Sequence, residues 1–348
     1  MIRLPHDITK DGIPEYRMPA EWEKHESTWI SWPGNRLTFP DDIMEEVEQT
    51  FVGIVEKLSR GERIDILAAD ASLEEHITSM LNSTRNVKFH TIQAADVWVR
   101  DYGPIFVRKR NARKIVATKW TFNAWGNKYD DLLPDNIAGM EIAKSAELEI
   151  VETGMVLEGG SIDVDGSGRL LTTEQCLLNK NRNPALGRRD IEMKLGEYLG
   201  AKEVIWLSGG IEGDDTDGHI DDAARFVSMD TVICMVESNR DDSNRGVLDA
   251  NLKILKRAFS LGRDEVDIVE VPMPVRTPDT AGLPASYANF YIGNSAVLVP
   301  VFGCRNDDII LDALKDVFRG RRVVGIDCSA MVHGFGTIHC ATQQQPSP

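Results

Sequence analysis

The strongest constraint on the fold is a short pattern that recurs along the chain. In each copy, a polar or glycine-flanked cluster opens a strand, a turn follows, and a second apolar strand returns. Four copies can be aligned, with opening and returning segments at residues 100–107 and 114–118, 158–164 and 169–173, 217–221 and 231–235, and 287–292 and 296–300. A fifth unit begins near residues 26–32 and is expected to close with residues 336–340.

The opening clusters recur at intervals of roughly 50 to 70 residues, slightly longer than ordinary propeller or solenoid repeats. Between them, apolar residues at helical spacing predict helices at residues 42–58, 73–81, 136–146, 188–199, 244–259 and 308–318. Short strand-like runs follow at residues 64–67, 87–89, 149–151, 204–206, 266–269 and 323–326. Such a mixed repeat predicts a closed ring or stacked array, with the polar clusters gathered at one end.

Composition limits the possible partners. Acidic residues (55) outnumber basic ones (39), and the formal net charge of -16 argues against nucleic acid and anionic membranes and favours a cationic ligand. No linker divides the chain, so we expect one domain over residues 1–348. The sequence shows neither an apolar signal region nor an apolar run of about 18 residues, which predicts a cytoplasmic protein. A homo-oligomer stays possible.

The five cysteines are odd in number and show no C-x-x-C pairing, which argues against a disulfide scaffold and a structural zinc site. Cys234 lies in an apolar run, as is typical of a buried structural cysteine, and Cys176 and Cys328 are interpreted in the same way. Cys340 lies in a glycine-flanked polar segment that can expose a thiolate. It is the candidate nucleophile, although a structural role is an equal alternative.

His219 lies among five aspartates in residues 213–222. Carboxylates there would stabilise its imidazolium, as a general acid/base requires, and strand alternation would put His219 and Asp221 on one face. A solvated acidic turn is one alternative. A divalent cation site is another, although no second histidine or cysteine pair is spaced to complete a transition-metal site.

Asp101 and Glu158 stand in the opening clusters of two other repeats. Singly, each could be an ordinary strand-end carboxylate. Together with the His219 segment, however, three repeats present a carboxylate at the same edge, and converging carboxylates repel unless a cation lies between them. A planar guanidinium could bind two of them and leave its central carbon open to a nucleophile.

Further motifs span nearly the whole chain, at residues 18–26 with Trp29, Trp32 and Pro33, then 98–104, 158–161, 171–179, 181–184, 213–219 and 338–346. In this order they resemble the agmatine deiminases and the bacterial-type peptidylarginine deiminases grouped with them. The resemblance implies the pentein fold, an α/β propeller of five pseudo-symmetric repeats with the active site on the central axis. It also implies hydrolysis of a guanidine to a ureido group with loss of ammonia, without cofactor or metal.

The same resemblance implies a role for individual residues. Cys340 corresponds to the nucleophile, His219 to the general acid/base and Glu158 to a catalytic carboxylate. The remaining assignments are the guanidinium-binding pair Asp101 and Asp221, and the substrate-binding residues Trp98, Asp215 and Arg100.

The implied reaction converts the small-molecule substrate agmatine to N-carbamoylputrescine through a covalent thiouronium on Cys340. The chain departs from the usual family pattern at Tyr102 and at residues 334–337, where Phe335 is larger than expected. Both larger residues would narrow the pocket if their side chains faced it. Peptidylarginine or free-arginine deimination is the alternative within the class. A non-catalytic polyamine-binding protein is the alternative outside it, and would have no use for Cys340 and His219 together.

Overall fold

The computed structural model describes residues 15–110, 112, 114–261, 266–278 and 280–348. The expectation about an export signal concerns residues 1–14, and these lie outside the described ranges. Within the ranges, no helix combines the length and apolar character that a membrane span requires.

The described residues contain seventeen strands and nine α-helices. The strands are β1 (Tyr16–Arg17), β2 (His25–Ser31), β3 (Arg63–Ala68), β4 (Val87–Thr91), β5 (Ile105–Lys109), β6 (Lys114–Thr121), β7 (Glu149–Val156), β8 (Ile162–Val164), β9 (Arg169–Thr173), β10 (Glu203–Leu207), β11 (Ala224–Ser228), β12 (Thr231–Val236), β13 (Asp267–Pro272), β14 (Tyr291–Ile292), β15 (Ala296–Val301), β16 (Arg322–Asp327) and β17 (Gln343–Pro346). The helices are α1 (Asp41–Leu58), α2 (Ala71–Met80), α3 (Val99–Tyr102), α4 (Ala124–Asn127), α5 (Asp135–Ser145), α6 (Glu174–Leu177), α7 (Arg188–Leu199), α8 (Asn244–Leu261) and α9 (Asp307–Val317). All six predicted helices and all six predicted strand runs are confirmed.

The strands form five sheets with one common plan. In each, the middle strand pairs antiparallel with the strand before it in the repeat and parallel with the strand that follows a connecting segment. The five sheets are β5-β6-β7, β8-β9-β10, β11-β12-β13, β14-β15-β16 and β17-β2-β3, with β1 and β4 added at the edges of the first and last. The five-unit repeat read from the sequence is therefore present.

The two ends of the chain together form the fifth sheet. β17 pairs antiparallel with β2, with Gln343 opposite Trp29, so the closing strand follows the Cys340 segment rather than containing it. The expected closure by residues 336–340 is thus displaced by a few residues. Those residues form a turn instead, in which Ala341 N donates to Thr337 O.

The opening clusters are helical turns, not the strand starts that were expected. They lie at α3 and in one-turn 3-10 helices at Gly159–Ser161, Ile220–Asp222 and Tyr287–Asn289. Backbone N–H groups at these turns bond locally, as Gly103 N does to Val99 O and Ser161 N does to Glu158 O, because the sheets end before reaching them. The strand argument for His219 and Asp221 was therefore wrong.

These turns contact one another in a closed cycle. The four turns touch in chain order from α3 to Tyr287–Asn289. His339 N then donates to Asn289 O, and Arg100 N donates to Cys340 O, which returns the cycle to α3. The clusters therefore gather at one place, as the repeat predicted.

Long amphipathic helices join neighbouring sheets. α1 contacts β3 of one sheet and β15 and β16 of another, while α8 contacts β10 and β12. The buried apolar face of α1 includes Val47, Phe51 and Val55. Burying this face between sheets fixes the angle between adjacent units and holds the central turns together.

Closure of the ring can be tested at Gln345. Its Oε1 accepts a hydrogen bond from the buried Trp29 Nε1 at 2.9 Å. Gln345→Ala should lower the free energy of unfolding by about 1–3 kcal/mol, because the indole N–H is left buried without a partner. Chemical denaturation measures this loss. Ser347→Ala is the matched control in the same tail, and equal stability of the two variants would contradict the prediction.

Candidate active site

A pocket with a volume of about 150 Å³ leads to Cys340. It is small beside the roughly 300–1,000 Å³ of pockets that hold drug-sized ligands. Its lining includes four carboxylates, Asp96, Asp101, Asp131 and Asp215, and the described lining residues include neither lysine nor arginine. The pocket is therefore built for a small cation.

Cys340 is buried, with only 7% of its surface exposed, and is held by Asn289. Asn289 Nδ2 donates to Cys340 Sγ at 3.1 Å, and Asn289 Oδ1 accepts from the N–H groups of His339 and Cys340. Burial, followed by the charges of Asp221, Asp222 and Asp101, raises the pKa of the Cys340 thiol well above its usual value. Without a bound cation, this cysteine is a thiol.

Asn289 was missed by the sequence reasoning. It lies in the fourth helical turn, and the first and third turns carry Asp101 and Asp221. Considering every polar residue of the opening clusters, rather than only the ionisable ones, would have singled it out.

His219 is buried beside two carboxylates. Its Nδ1 lies 3.8 Å from Asp101 Oδ1 and 4.0 Å from Asp221 Oδ1. Burial would lower the pKa of His219, but the charge of Asp101 and the neighbouring Cys176 and Asp221 outweigh it and raise this pKa well above its usual value. The imidazole can therefore carry the proton that a general acid needs.

Gly160 permits this close approach. A Cβ at residue 160 would lie 2.6 Å from His219 Nδ1, 2.9 Å from Asp101 Oδ1 and 3.0 Å from Asp221 Oδ2. Only glycine leaves this space free. Gly160 N also donates to Asp101 Oδ1 at 3.0 Å.

The two aspartates are positioned by different partners. Asp101 Oδ2 accepts from Trp125 Nε1 at 2.9 Å, and burial raises the pKa of Asp101. Asp221 Oδ2 lies 2.7 Å from His339 Nδ1. Although burial alone would raise the pKa of Asp221, the hydrogen bond and charge of His339 lower it. Asp221 Oδ1 has no hydrogen-bond partner among the described residues, so it is available to a ligand.

Glu158 likewise has one carboxylate oxygen that is hydrogen-bonded and one that is not. Its Oε1 accepts from Arg182 Nε at 2.6 Å, while its Oε2 has no hydrogen-bond partner in the described ranges. Arg182 also donates to Asp217 Oδ2, and this anchoring role was not predicted from the sequence. The sequence signal for Arg182 was its place in the motif at residues 181–184.

One group of described residues has donor atoms close enough to suggest a metal site. Atoms of Glu158, Cys176 and His219 lie within 4.8 Å of one another, and all three residues are buried. The Arg182 guanidinium, however, is bonded to the Glu158 carboxylate at this site and would repel a divalent cation. Cys176 is buried, as expected, but it lies beside His219 rather than in a purely apolar core.

The three expected substrate-binding residues fall into two groups. Trp98 and Asp215 line the pocket, and Asp215 Oδ2 accepts a hydrogen bond from Tyr129. Arg100 is not a lining residue. Its guanidinium donates to His339 O and Gln344 Oε1 at 3.2 and 2.7 Å. Trp98 and Asp101 are three residues apart and share the pocket face of the helical turn, whereas Arg100 lies off that face. The structure thus gives Arg100 a role in joining the chain end to the first repeat, not in binding substrate.

One further expectation is corrected. Tyr102 does not face the pocket, since its hydroxyl donates to Asp96 O and its ring is buried against Phe122. The acidic segment at residues 212–222 contains neither lysine nor arginine, but such residues reach it from elsewhere in the fold. Arg276 pairs with Glu212, while Lys128 and Arg182 pair with Asp217.

His339 joins the site to a buried ion network. Its Nε2 lies 2.9 Å from Glu21 Oε2, and the same carboxylate lies 3.0 Å from Arg225. Burial would raise the pKa of Glu21, but Arg225, His339 and Arg100 lower it well below its usual value. Glu21 and His339 were quoted in motifs, yet neither was assigned a role.

A ring of five similar α/β units, with a thiol, an imidazole and carboxylates meeting at its centre, defines a protein of the pentein class. SxtG, an amidinotransferase from Microseira wollei, is only 12% identical but aligns over 96% of this chain and 97% of its own with a TM-score of 0.54, which shows the shared fold.

More specific matches identify the family. Residues 17–346 match the Porphyromonas-type peptidyl-arginine deiminase family, and the chain belongs to it. The agmatine deiminase of Medicago truncatula is 35% identical over an alignment 381 positions long that covers 100% of both chains. The structure of a C. jejuni agmatine deiminase with substrate bound is 30% identical, has a TM-score of 0.86, and covers 98% of each chain.

The raised thiol pKa predicts slow alkylation of Cys340. Iodoacetamide should modify it slowly near neutral pH and faster as pH rises, because the thiolate is the nucleophile. Asp101→Asn removes a nearby negative charge and should speed alkylation at pH 8 by up to about tenfold for each unit by which the thiol pKa falls. Peptide mass spectrometry follows the rate, with Cys304 as the internal reference. Equal Cys340 rates in both proteins would show that Asp101 does not govern the thiol.

Proposed function

We propose that this protein deiminates agmatine to N-carbamoylputrescine and ammonia. The observation that supports it most is a buried cysteine at a small pocket whose described lining has four carboxylates and neither lysine nor arginine. The family relationship supports guanidine chemistry, and agmatine is a dication without a carboxylate. The carboxylates therefore suit both the guanidinium end and the ammonium end of agmatine.

The guanidinium is proposed to bind among Asp101, Asp221 and Glu158. Asp221 Oδ1 and Glu158 Oε2 are buried acceptors without hydrogen-bond partners in the described part of the chain. A planar guanidinium offers several N–H donors, which would satisfy both atoms in charge-assisted hydrogen bonds. The distal ammonium would lie along Trp98 and near Asp215, both of which line the pocket.

Substrate binding would also activate the thiol. The pKa of Cys340 is raised by burial and by the carboxylates, and a bound cation opposes these carboxylate charges and thereby lowers it. The resulting thiolate attacks the guanidinium carbon, a C–S bond forms, and the electron pair of a C=N bond moves to nitrogen. Asn289 Nδ2 holds the sulfur in place for this attack.

His219 is proposed to move the protons. Its imidazolium protonates the departing nitrogen, the C–N bond breaks, and ammonia leaves a thiouronium on Cys340. The neutral imidazole then takes a proton from water, whose oxygen attacks the same carbon. Collapse of this adduct breaks the C–S bond and regenerates the thiolate, and the hydroxyl proton passes to solvent as the ureido product is released.

The same proposal includes a single domain over residues 1–348 and a cytoplasmic location. Pairing of β17 with β2 supports the single domain, because residues from both ends of the chain share one sheet. The net charge of -16 supports a small cationic partner rather than nucleic acid. A homo-oligomer stays a prediction.

Cys340→Ser should abolish measurable ureido production from agmatine, because a hydroxyl lacks the thiolate character that the attack requires. Colorimetric detection of the ureido product and circular dichroism together test activity and folding. Cys234→Ser is the control, since Cys234 is buried in β12, and it should retain turnover at some cost in stability. A folded Cys340→Ser protein with wild-type turnover would refute the covalent route.

Substrate choice follows from the charges that line the pocket. We expect kcat/KM to be highest for agmatine, lower for an arginyl peptide, and lowest for free arginine, by about 100-fold or more, because an α-carboxylate would be left unpaired among carboxylates. Steady-state assays of the three compounds decide the order. A higher kcat/KM for free arginine than for agmatine would overturn the assignment and favour arginine deimination.

A further inference from the structure

Phe335 is a large apolar residue at the pocket in a backbone conformation that side chains rarely adopt. Its φ is 66°, it lines the pocket, and 44% of its surface is exposed. A Cβ disfavours this left-handed conformation, which persists only where the surrounding structure imposes it. Such residues concentrate at ligand-binding sites, so the position calls for a functional explanation.

Two flanking glycines let the loop pack closely against neighbouring side chains. A Cβ at Gly334 would lie 2.5 Å from Phe39 Cε1, and one at Gly336 would lie 2.5 Å from Trp98 Cζ3. The loop is therefore packed closely on both sides of Phe335. Phe335 N also donates to Val332 O at 2.9 Å, which fixes the start of the turn.

Other aromatic residues surround the same pocket. Trp98, Trp125 and Tyr129 line it together with Phe335. Trp125 also has a positive φ, of 51°, and its indole N–H is committed to Asp101. Two of the described non-glycine residues with positive φ thus contribute aromatic rings to one small pocket. Aromatic faces attract cations and pack against methylene groups.

We propose that Phe335 is a specificity-determining residue for linear guanidinoalkylamines. This inference rests on the proposed deimination of agmatine and deepens it. The ring packs against the methylene chain of the substrate and occupies the space that the backbone of an arginyl peptide would need. These contacts are the same before and during the reaction, so they act mainly on KM.

Phe335→Gly tests this directly, because glycine keeps the φ of 66° while removing the ring. For agmatine, KM should rise by about tenfold while kcat stays within about twofold, as expected for loss of uniform binding. The ratio of kcat/KM for agmatine to that for N-acetylarginine amide should fall by about tenfold or more. Phe335→Leu, which restores an apolar side chain, should recover part of this ratio.

Glu147→Gly is the matched control. Glu147 is exposed, has a φ of 55°, and is not a pocket-lining residue. Its replacement by glycine should therefore leave kcat and KM at wild-type values. Melting curves verify that all variants are folded. Sedimentation velocity on each variant measures its oligomeric state.

The outcomes separate this inference from the proposed function. If the wild-type protein does not turn over agmatine, the proposed function fails first. If it does, unchanged KM and selectivity in Phe335→Gly would overturn the specificity role. A loss confined to kcat, or a change of oligomeric state with unchanged selectivity, would overturn it as well, since the ring would then serve the chemistry or a subunit contact.

Discussion

The structure depends on bringing several buried carboxylates to one point without letting their repulsion open the ring. Asp101, Asp221 and Asp222 all lie within the electrostatic reach of Cys340. Like charges at such separations are tolerated only with nearby cations or with protonation. Burial and the charge of Asp221 indeed raise the pKa of Asp222 well above its usual value. The central turns therefore combine ion pairs, a raised carboxyl pKa and two buried carboxylate oxygens, Asp221 Oδ1 and Glu158 Oε2, that have no hydrogen-bond partner among the described residues.

Arginine and histidine side chains reach this centre from outside the turns that carry the acids. Arg182 holds Glu158, and His339 holds Asp221 through one nitrogen and Glu21 through the other. Arg225 joins Glu21 to Asp163. A buried charge pair is strongly destabilised when one member is removed, so these pairs fix the positions of the acids that face the ligand. The acids that are proposed to bind the guanidinium thus owe their placement to residues that do not line the pocket.

Closure of the ring and assembly of the site are the same event. The Cys340 turn lies between Asn289 of the fourth unit and Arg100 of the first, and β17 follows it directly. Its thiol is placed only when both ends of the chain share a sheet. At the mouth of the pocket, Gly334 and Gly336 pack closely against neighbouring side chains. Phe335 lies between them with a positive φ, which its surroundings must stabilise.

The sequence by itself determined the five-unit repeat, six long helices and the motifs that carry Cys340, His219, Glu158, Asp101 and Asp221, because apolar periodicity and local polar clusters are short-range signals. It also indicated a cationic ligand through its net charge. Only the tertiary structure decided that the clusters are helical turns, that Arg100 and Tyr102 face away from the pocket, and that Asn289 and Arg182 hold Cys340 and Glu158. Side-chain direction and partners distant in sequence depend on how the five units close around one another, and no local pattern encodes that geometry.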